Sequence, residues 1–232
     1  MAQVAGNGIY TLPEAAALIG MKVPTLRSWF RDDGRRRSLF RGDYLAARAG
    51  ERLTALSFHD LVEAVVAVKL KGLGMTPQRI RRTHAALAEA YGTPHPFAYR
   101  GFFVSEKADR VFAEFREDDP GGPLRAGFLE VGAEQHAIRE VLQPFLQRVD
   151  YDPRTELAAL VRLTADGSVH LDPERGFGKP LVASCSQRTA VLHAAWLANG
   201  RDAPVVADWY GVTTPEVEAA VSFHEDFRGL AA

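Results

Sequence analysis

Arg27 and Arg31 lie four residues apart, a spacing that puts two guanidinium groups on one face of a helix. Thr25 and Ser28 share the same stretch, and Lys22 stands just ahead of it. A guanidinium donates two parallel hydrogen bonds to O6 and N7 of guanine, while hydroxyls reach phosphates or base edges. The chemistry this set suits is contact with double-stranded DNA. Arg35, Arg36, Arg37 and Arg41 follow closely. Laid along the phosphate backbone, each would add a salt-dependent and sequence-independent share of affinity.

Other chemistries fail on spacing. Gly176–Phe177–Gly178–Lys179–Pro180 has the wrong glycine interval for a phosphate loop, and Pro180 stands where Ser or Thr is required, so it reads as a structural turn. Ser184–Cys185–Ser186 lacks the flanking glycines of a nucleophile elbow, and Cys185 reads as a small buried residue. With one cysteine there is neither an internal disulfide nor a cysteine metal cluster. The seven histidines include no pair at metal-ligand spacing with a carboxylate and read as surface or capped core residues. No catalytic residue, metal or cofactor is expected.

The elements that must position the arginines are legible. Thr11 caps a first helix, with Pro13 in its first turn and Glu14 at the capping-box interval, and Gly20 closes it. A second helix from about Val23 to Arg31 carries an apolar stripe of Val23, Leu26 and Trp29–Phe30. Two short helices about a glycine turn form a helix-turn-helix, whose second member enters the major groove. Phe40–Arg41–Gly42 and Leu53–Thr54–Ala55–Leu56 suit the arms of a β-hairpin wing. Ser57 opens a third helix to about Gly72, and Thr76–Pro77 a fourth through Tyr91.

Farther on, Arg100 to Val104 and Arg110 to Phe115 suggest a strand pair, and Ala126 to Val131 another strand. Ile138, Val141, Leu142, Phe145 and Leu146 mark an amphipathic helix over about 133–148, a candidate dimer interface with ordinary core as the alternative. Asp166–Gly167 is a hairpin turn between Leu160–Leu163 and Val169–Leu171. Helices Arg188–Ala198, Asp202–Tyr210 and one from Thr214 form the last segment.

The net charge of −1 conceals an asymmetry. Residues 1–96 hold 14 Lys+Arg against 8 Asp+Glu, a balance of +6; residues 97–232 hold 14 against 21, a balance of −7. Such a division suits one part that meets a polyanion and another that does not. The apolar runs are too short for a membrane span, and no charged-then-apolar leader opens the sequence. A cytoplasmic protein is expected.

Tyr10–Thr11–Leu12–Pro13–Glu14–Ala15–Ala16, Leu18–Ile19–Gly20 and Thr25–Leu26–Arg27–Ser28–Trp29 resemble the opening of MerR-type winged-helix regulators. Leu56–Ser57–Phe58 and Gly74–Met75–Thr76 with Arg79–Ile80–Arg81 resemble that family's next two helices. Asp172–Pro173, Phe177–Gly178–Lys179–Pro180, Asp208–Trp209–Tyr210–Gly211 and Thr214–Pro215–Glu216–Val217–Glu218 resemble a small domain common in VapB-type antitoxins, which are typically encoded beside PIN-like ribonuclease toxins. The long dimerising helix of MerR proteins has no counterpart.

The expected fold is α+β: a winged helix-turn-helix over 1–96, a mixed region over 97–167 and a three-helix domain over 168–232. The resemblance implies a non-enzymatic, VapB-like antitoxin that binds operator DNA and a PIN-like toxin. The alternative is a stand-alone MerR-like transcription regulator with a dimerising tail. Either would act as a homodimer, because one short recognition helix reads few base pairs.

Overall fold

A computed structural model describes residues 8–31, 38–40, 42, 55–104 and 131–231. Chain order gives β1 (Tyr10–Thr11), α1 (Leu12–Ile19), α2 (Val23–Phe30), β2 (Ala55–Leu56), α3 (Phe58–Gly72), α4 (Pro77–Tyr91), α5 (Gly101–Val104) and α6 (Val131–Leu146). There follow β3 (Val149–Tyr151), β4 (Ala158–Arg162), β5 (Val169–Leu171), β6 (Pro180–Val182), α7 (Thr189–Ala198), α8 (Ala203–Tyr210) and α9 (Thr214–Asp226). The class is α+β, with two antiparallel sheets among the described residues.

Local chemistry sets the helix ends. The Thr11 hydroxyl accepts from the Glu14 amide while the Glu14 carboxylate accepts from the Thr11 amide at 2.8 Å. Two otherwise unpaired donors of α1 are thereby satisfied. Gly20 then takes φ +86°, a left-handed value that a side chain would strain, and stops the helix. Ser57 and Asp60 repeat the reciprocal cap on α3, and Thr76 caps α4.

One core joins the head to the middle of the chain. Tyr10, Leu26, Phe30, Leu61, Val65, Phe97, Ile138, Leu142, Phe145, Val161 and Val169 all belong to it. A second, smaller core under α7–α9 comprises Val182, Leu192, Val206, Ala207, Val217 and Ala220.

The sheet β3-β4-β5-β6 is an antiparallel meander. Its β4–β5 hairpin turns at Asp166–Gly167 as the sequence indicates. Side-chain bonding with Thr164, then bonds from Ser168, hold the Asp166 carboxyl at about 2, and Gly167 sits at φ +75°. The expected division at 167 falls inside this hairpin, and the last segment contributes two strands as well as helices.

Several expectations are corrected. Arg100 to Val104 was expected as a strand, but Gly101–Val104 is helical, following a 3-10 turn at Pro96–Ala98. The helical turn brings the Phe102 ring to 5.0 Å from Phe97. The partner expected for it, Arg110 to Phe115, lies outside the described residues, as does the stretch 126–130; Val131 itself begins α6. Ala55–Leu56, expected as part of a wing arm, pairs with Tyr10–Thr11, and most of the expected wing lies outside the described residues. The amphipathic stripe of α6 was a candidate dimer interface. Its Ile138, Leu142 and Phe145 are buried in the main core, so that face is already covered. Pro144 sits two residues before the end of α6, where the chain is about to leave the helix anyway.

Two seams fasten the last segment to the head. Gly176, Phe177 and Gly178 all adopt left-handed backbone, at φ +54°, +59° and +76°. Their turn accepts from the Ile9 amide at the Phe177 carbonyl and from the buried Tyr10 hydroxyl at the Gly178 carbonyl, 2.6 Å away. Lys179 reaches Glu14 at 2.7 Å. At the other seam the Leu230 and Ala231 amides donate to the Leu18 and Ile19 carbonyls, at 2.8 and 3.0 Å. Gly229 there passes so close to Gly20 that a Cβ on it would lie 2.5 Å from the Gly20 Cα.

Candidate nucleic-acid interface

α2 has two unlike sides. Leu26, Trp29 and Phe30 are buried, and the backbone carbonyl of Trp29 accepts from the amides of Leu39 and Phe40. Opposite them, Pro24, Arg27, Ser28 and Arg31 are exposed at intervals of three and four, with exposed Lys22 before the first turn. This is the one-sided presentation that a helix entering a groove requires.

The expected side chains divide as follows. Lys22 is the N-cap position and makes no side-chain cap. Thr25 is half-buried, and its carbonyl accepts from the Ser28 hydroxyl at 2.7 Å, so that hydroxyl is engaged within the helix. Arg31 is one residue past the helix end, with extended backbone, so α2 is a residue shorter than expected. Among the described residues no acidic side chain pairs with Lys22, Arg27 or Arg31, which leaves their charge open to an anion. Arg35, Arg36, Arg37 and Arg41 lie outside the described residues, as does most of the proposed wing.

The mount beneath α2 holds a cluster that sequence reading missed. Glu63 of α3 is 1% exposed. One of its oxygens lies 2.8 Å from His84 Nε2 of α4 and accepts from the Phe97 amide at 3.3 Å; the other lies 3.5 Å from His95 Nδ1. The His59 ring packs 5.1 Å from that of His95. Burial alone would raise the Glu63 carboxyl, but the facing imidazoles of His84 and then His95 outweigh it and hold the group below the ordinary carboxylate range. His84 and His95 are thus core residues capped by one shared carboxylate, while His136 is exposed, in keeping with the surface-or-core reading. The available signal was a lone Glu63 within the apolar run Leu61–Val62–Ala64–Val65–Val66, which demands a buried partner. Phe40 packs edge-on to His84 and against Phe30 of α2, linking cluster and helix.

Elsewhere the expectations need one adjustment. Gly176–Lys179 is a turn, as read, but Cys185 is half-buried beside the smaller core. Burial raises its thiol above the usual range.

No family model matches the chain. Over 227 residues it is 28% identical to the Mycobacterium tuberculosis protein named "Putative antitoxin VapB45", covering 92% of each chain. The crystal structure of Rv2018 from Mycobacterium tuberculosis superposes with a TM-score of 0.65 at 26% identity, covering 91% of this chain and 96% of that one. The likeness to a VapB-type antitoxin therefore extends along nearly the whole sequence.

Proposed function

We propose that this chain is a VapB-like antitoxin that binds its operator through α2 and the arginines after it, and that sequesters a PIN-like ribonuclease toxin. The observation that carries the antitoxin reading is the near-full-length similarity to a protein of that name. It also speaks for a non-enzymatic, regulatory protein. No helix among the described residues is long and apolar enough to cross a membrane.

The geometry supports a division of labour. Arg27 projects from a helix whose other side is anchored in the core, and Arg31 is exposed just past its end, so both can meet base edges without loss of packing. Arg35, Arg36, Arg37 and Arg41 would contact phosphates from the wing. Residues 1–96 serve as the DNA-binding head, 97–167 as a connecting region and 168–232 as the toxin-binding part. Along α9 the exposed Glu218, Glu225 and Asp226 form an acidic face. A ribonuclease must offer a basic path for RNA, and such a face is complementary to it. Homodimerisation would let two copies of α2 address two half-sites.

The test pairs both activities. The full chain should shift its own upstream DNA and should co-purify with the small ribonuclease-like product of the neighbouring gene. Arg27→Ala should weaken operator binding by about 1–3 kcal/mol and narrow the gap from random DNA, whereas Arg36→Ala should weaken both DNAs alike and lower the salt slope by about one. Joint replacement of Glu218 and Glu225 by Lys should release the toxin and spare DNA. Loss of neither activity in these variants would overturn the reading.

A further inference from the structure

Among the described residues, every large hydrophobic side chain that stands exposed lies between positions 177 and 210: Phe177, Val191, Leu197, Val205, Trp209 and Tyr210. Two of them define the outward face of α7. That face comprises Ala190, Val191, Ala194, Leu197 and Ala198, all exposed and without one charged or polar side chain. The inward positions Thr189 and Leu192 are buried against the rest of the chain. A helix apolar on both sides is not a free surface helix; it needs a cover on its second side.

The arrangement of the face indicates what the cover is. Ala194 stands at its centre, with Val191 and Leu197 three residues to either side and Ala190 and Ala198 four. The pattern therefore reads the same in both directions. A two-fold interface is isologous and needs a self-complementary patch. Laid antiparallel on a second copy, Ala194 would cross Ala194, Val191 would meet the partner's Leu197, and Ala190 the partner's Ala198. Small residues at the crossing let two helix axes approach closely.

Charge agrees with the antiparallel sense. Arg188, exposed at the N-terminal end of α7, would face the carbonyl-bearing end of the partner's α7, where the helix dipole is negative. The Arg201 guanidinium at that end is drawn over the Trp196 ring, 5.4 Å from its centre, rather than held out on the face.

Phe177 supplies an independent sign. It is 67% exposed, yet it is held at φ +59° between two left-handed glycines. A non-glycine residue kept in that region is strained, and strain at an exposed aromatic points to a role in contact. Its ring lies 5.9 Å from the Arg188 guanidinium, at the N-terminal end of the same helix. Two α7 faces with two Phe177 rings would bury on the order of 1,000 Å² in total, the size of a weak, reversible pairing and not of an obligate one. We infer that the outward face of α7, flanked by Phe177, is the surface on which two copies of this chain pair about a two-fold axis at Ala194.

The inference rests on the homodimer reading above, and the experiment separates the two. Sedimentation of the full chain without DNA should give the mass of two chains at micromolar concentration. Ala194→Glu sets two carboxylates against each other at the axis and should raise the dissociation constant at least about 100-fold. Ala90→Glu, on the exposed end of α4, should change nothing. In a Cys185→Ser background, Ala194→Cys should cross-link to itself on mild oxidation. Ala190→Cys should cross-link only when mixed with Ala198→Cys. A monomeric wild type would overturn dimer and surface together. A dimer indifferent to Ala194→Glu, or one cross-linked by Ala190→Cys alone, would overturn the surface only. A dimer that Ala194→Glu leaves intact while it abolishes toxin binding would assign the face to the toxin, again against the inference.

Discussion

Truncating Glu63 to Ala strips a buried carboxylate from His84, from His95 and from the Phe97 amide at once. The position is 1% exposed, so water cannot take the vacated place without entering the core. Removing one member of a buried, hydrogen-bonded pair typically costs about 3–5 kcal/mol, because the other member stays behind desolvated. At about 2–4 °C per kcal/mol for a chain of this size, the midpoint of thermal unfolding should fall by about 6–20 °C. Glu63→Gln keeps an oxygen for the amide and for one imidazole and should cost less. Replacing Glu63 and His84 together by Leu should cost less than Glu63→Ala, since His84 is then no longer left behind beside His95 and the Phe97 amide. Acid supplies the sign. The folded-state carboxyl is lowered, so its stabilisation is present above the unfolded value near 4.3 and is lost as pH falls through the folded one. Circular dichroism melts from about pH 3 to 8 should therefore converge for wild type and Glu63→Gln at the acid end. A loss below about 1 kcal/mol for Glu63→Ala, or a gap that persists unchanged into acid, would refute the reasoning.

Three other outcomes follow from named contacts. Gly178→Ala should destabilise well beyond Gly200→Ala: both glycines have positive φ, but a Cβ at 178 would lie 2.5 Å from the Tyr10 hydroxyl, whereas one at 200 meets nothing within 4 Å. Chemical denaturation of the two variants compares them directly. Trp29→Ala should cost about 3–5 kcal/mol, read as a lower midpoint of thermal unfolding, while Arg27→Ala should leave the melting curve unchanged. In the last segment His224 stacks 4.6 Å from His193 and its Nε2 lies 3.2 Å from the Thr189 hydroxyl; partial burial, then His193, lower its folded-state value. Stabilisation from this lowering is complete above about pH 6.5 and is lost as pH falls through the folded value, so α7–α9 should loosen in mild acid, and His224→Gln should blunt the change in an NMR titration.

The helices were readable because their signals are local. Thr11, Ser57 and Thr76 cap three of them, Gly20 and Gly211 close two, and the alternation of apolar positions in α2 picks out its buried side directly. The sheet was only half legible. Asp166–Gly167 announces β4–β5, but β3 and β6 are three residues each, too short to carry a period of two. Helix at Gly101–Val104 depends on Phe102 reaching Phe97, a contact between side chains that no spacing in the sequence reveals. The exposed Arg27 and Arg31 could be picked out from their four-residue interval, although Arg31 stands just past the end of α2. The Glu63 cluster could not, because His84 and His95 come 21 and 32 residues later and are assembled by the α3–α4 turn.

The seam at Gly20 has a consequence for the order of synthesis. The carbonyls of Leu18 and Ile19 take their donors from Leu230 and Ala231, so α1 waits for residues made more than two hundred positions later. At ordinary elongation rates that delay is roughly 10–40 s, in which α1 and α2 can form their own hydrogen bonds while α1 still lacks these last two. A ribosome-bound chain therefore carries a head whose turn is still open to water. The finished turn exists only in chains whose last segment has emerged and folded back, so a chain cut short before residue 230 leaves the end of α1 marked as incomplete by its own backbone.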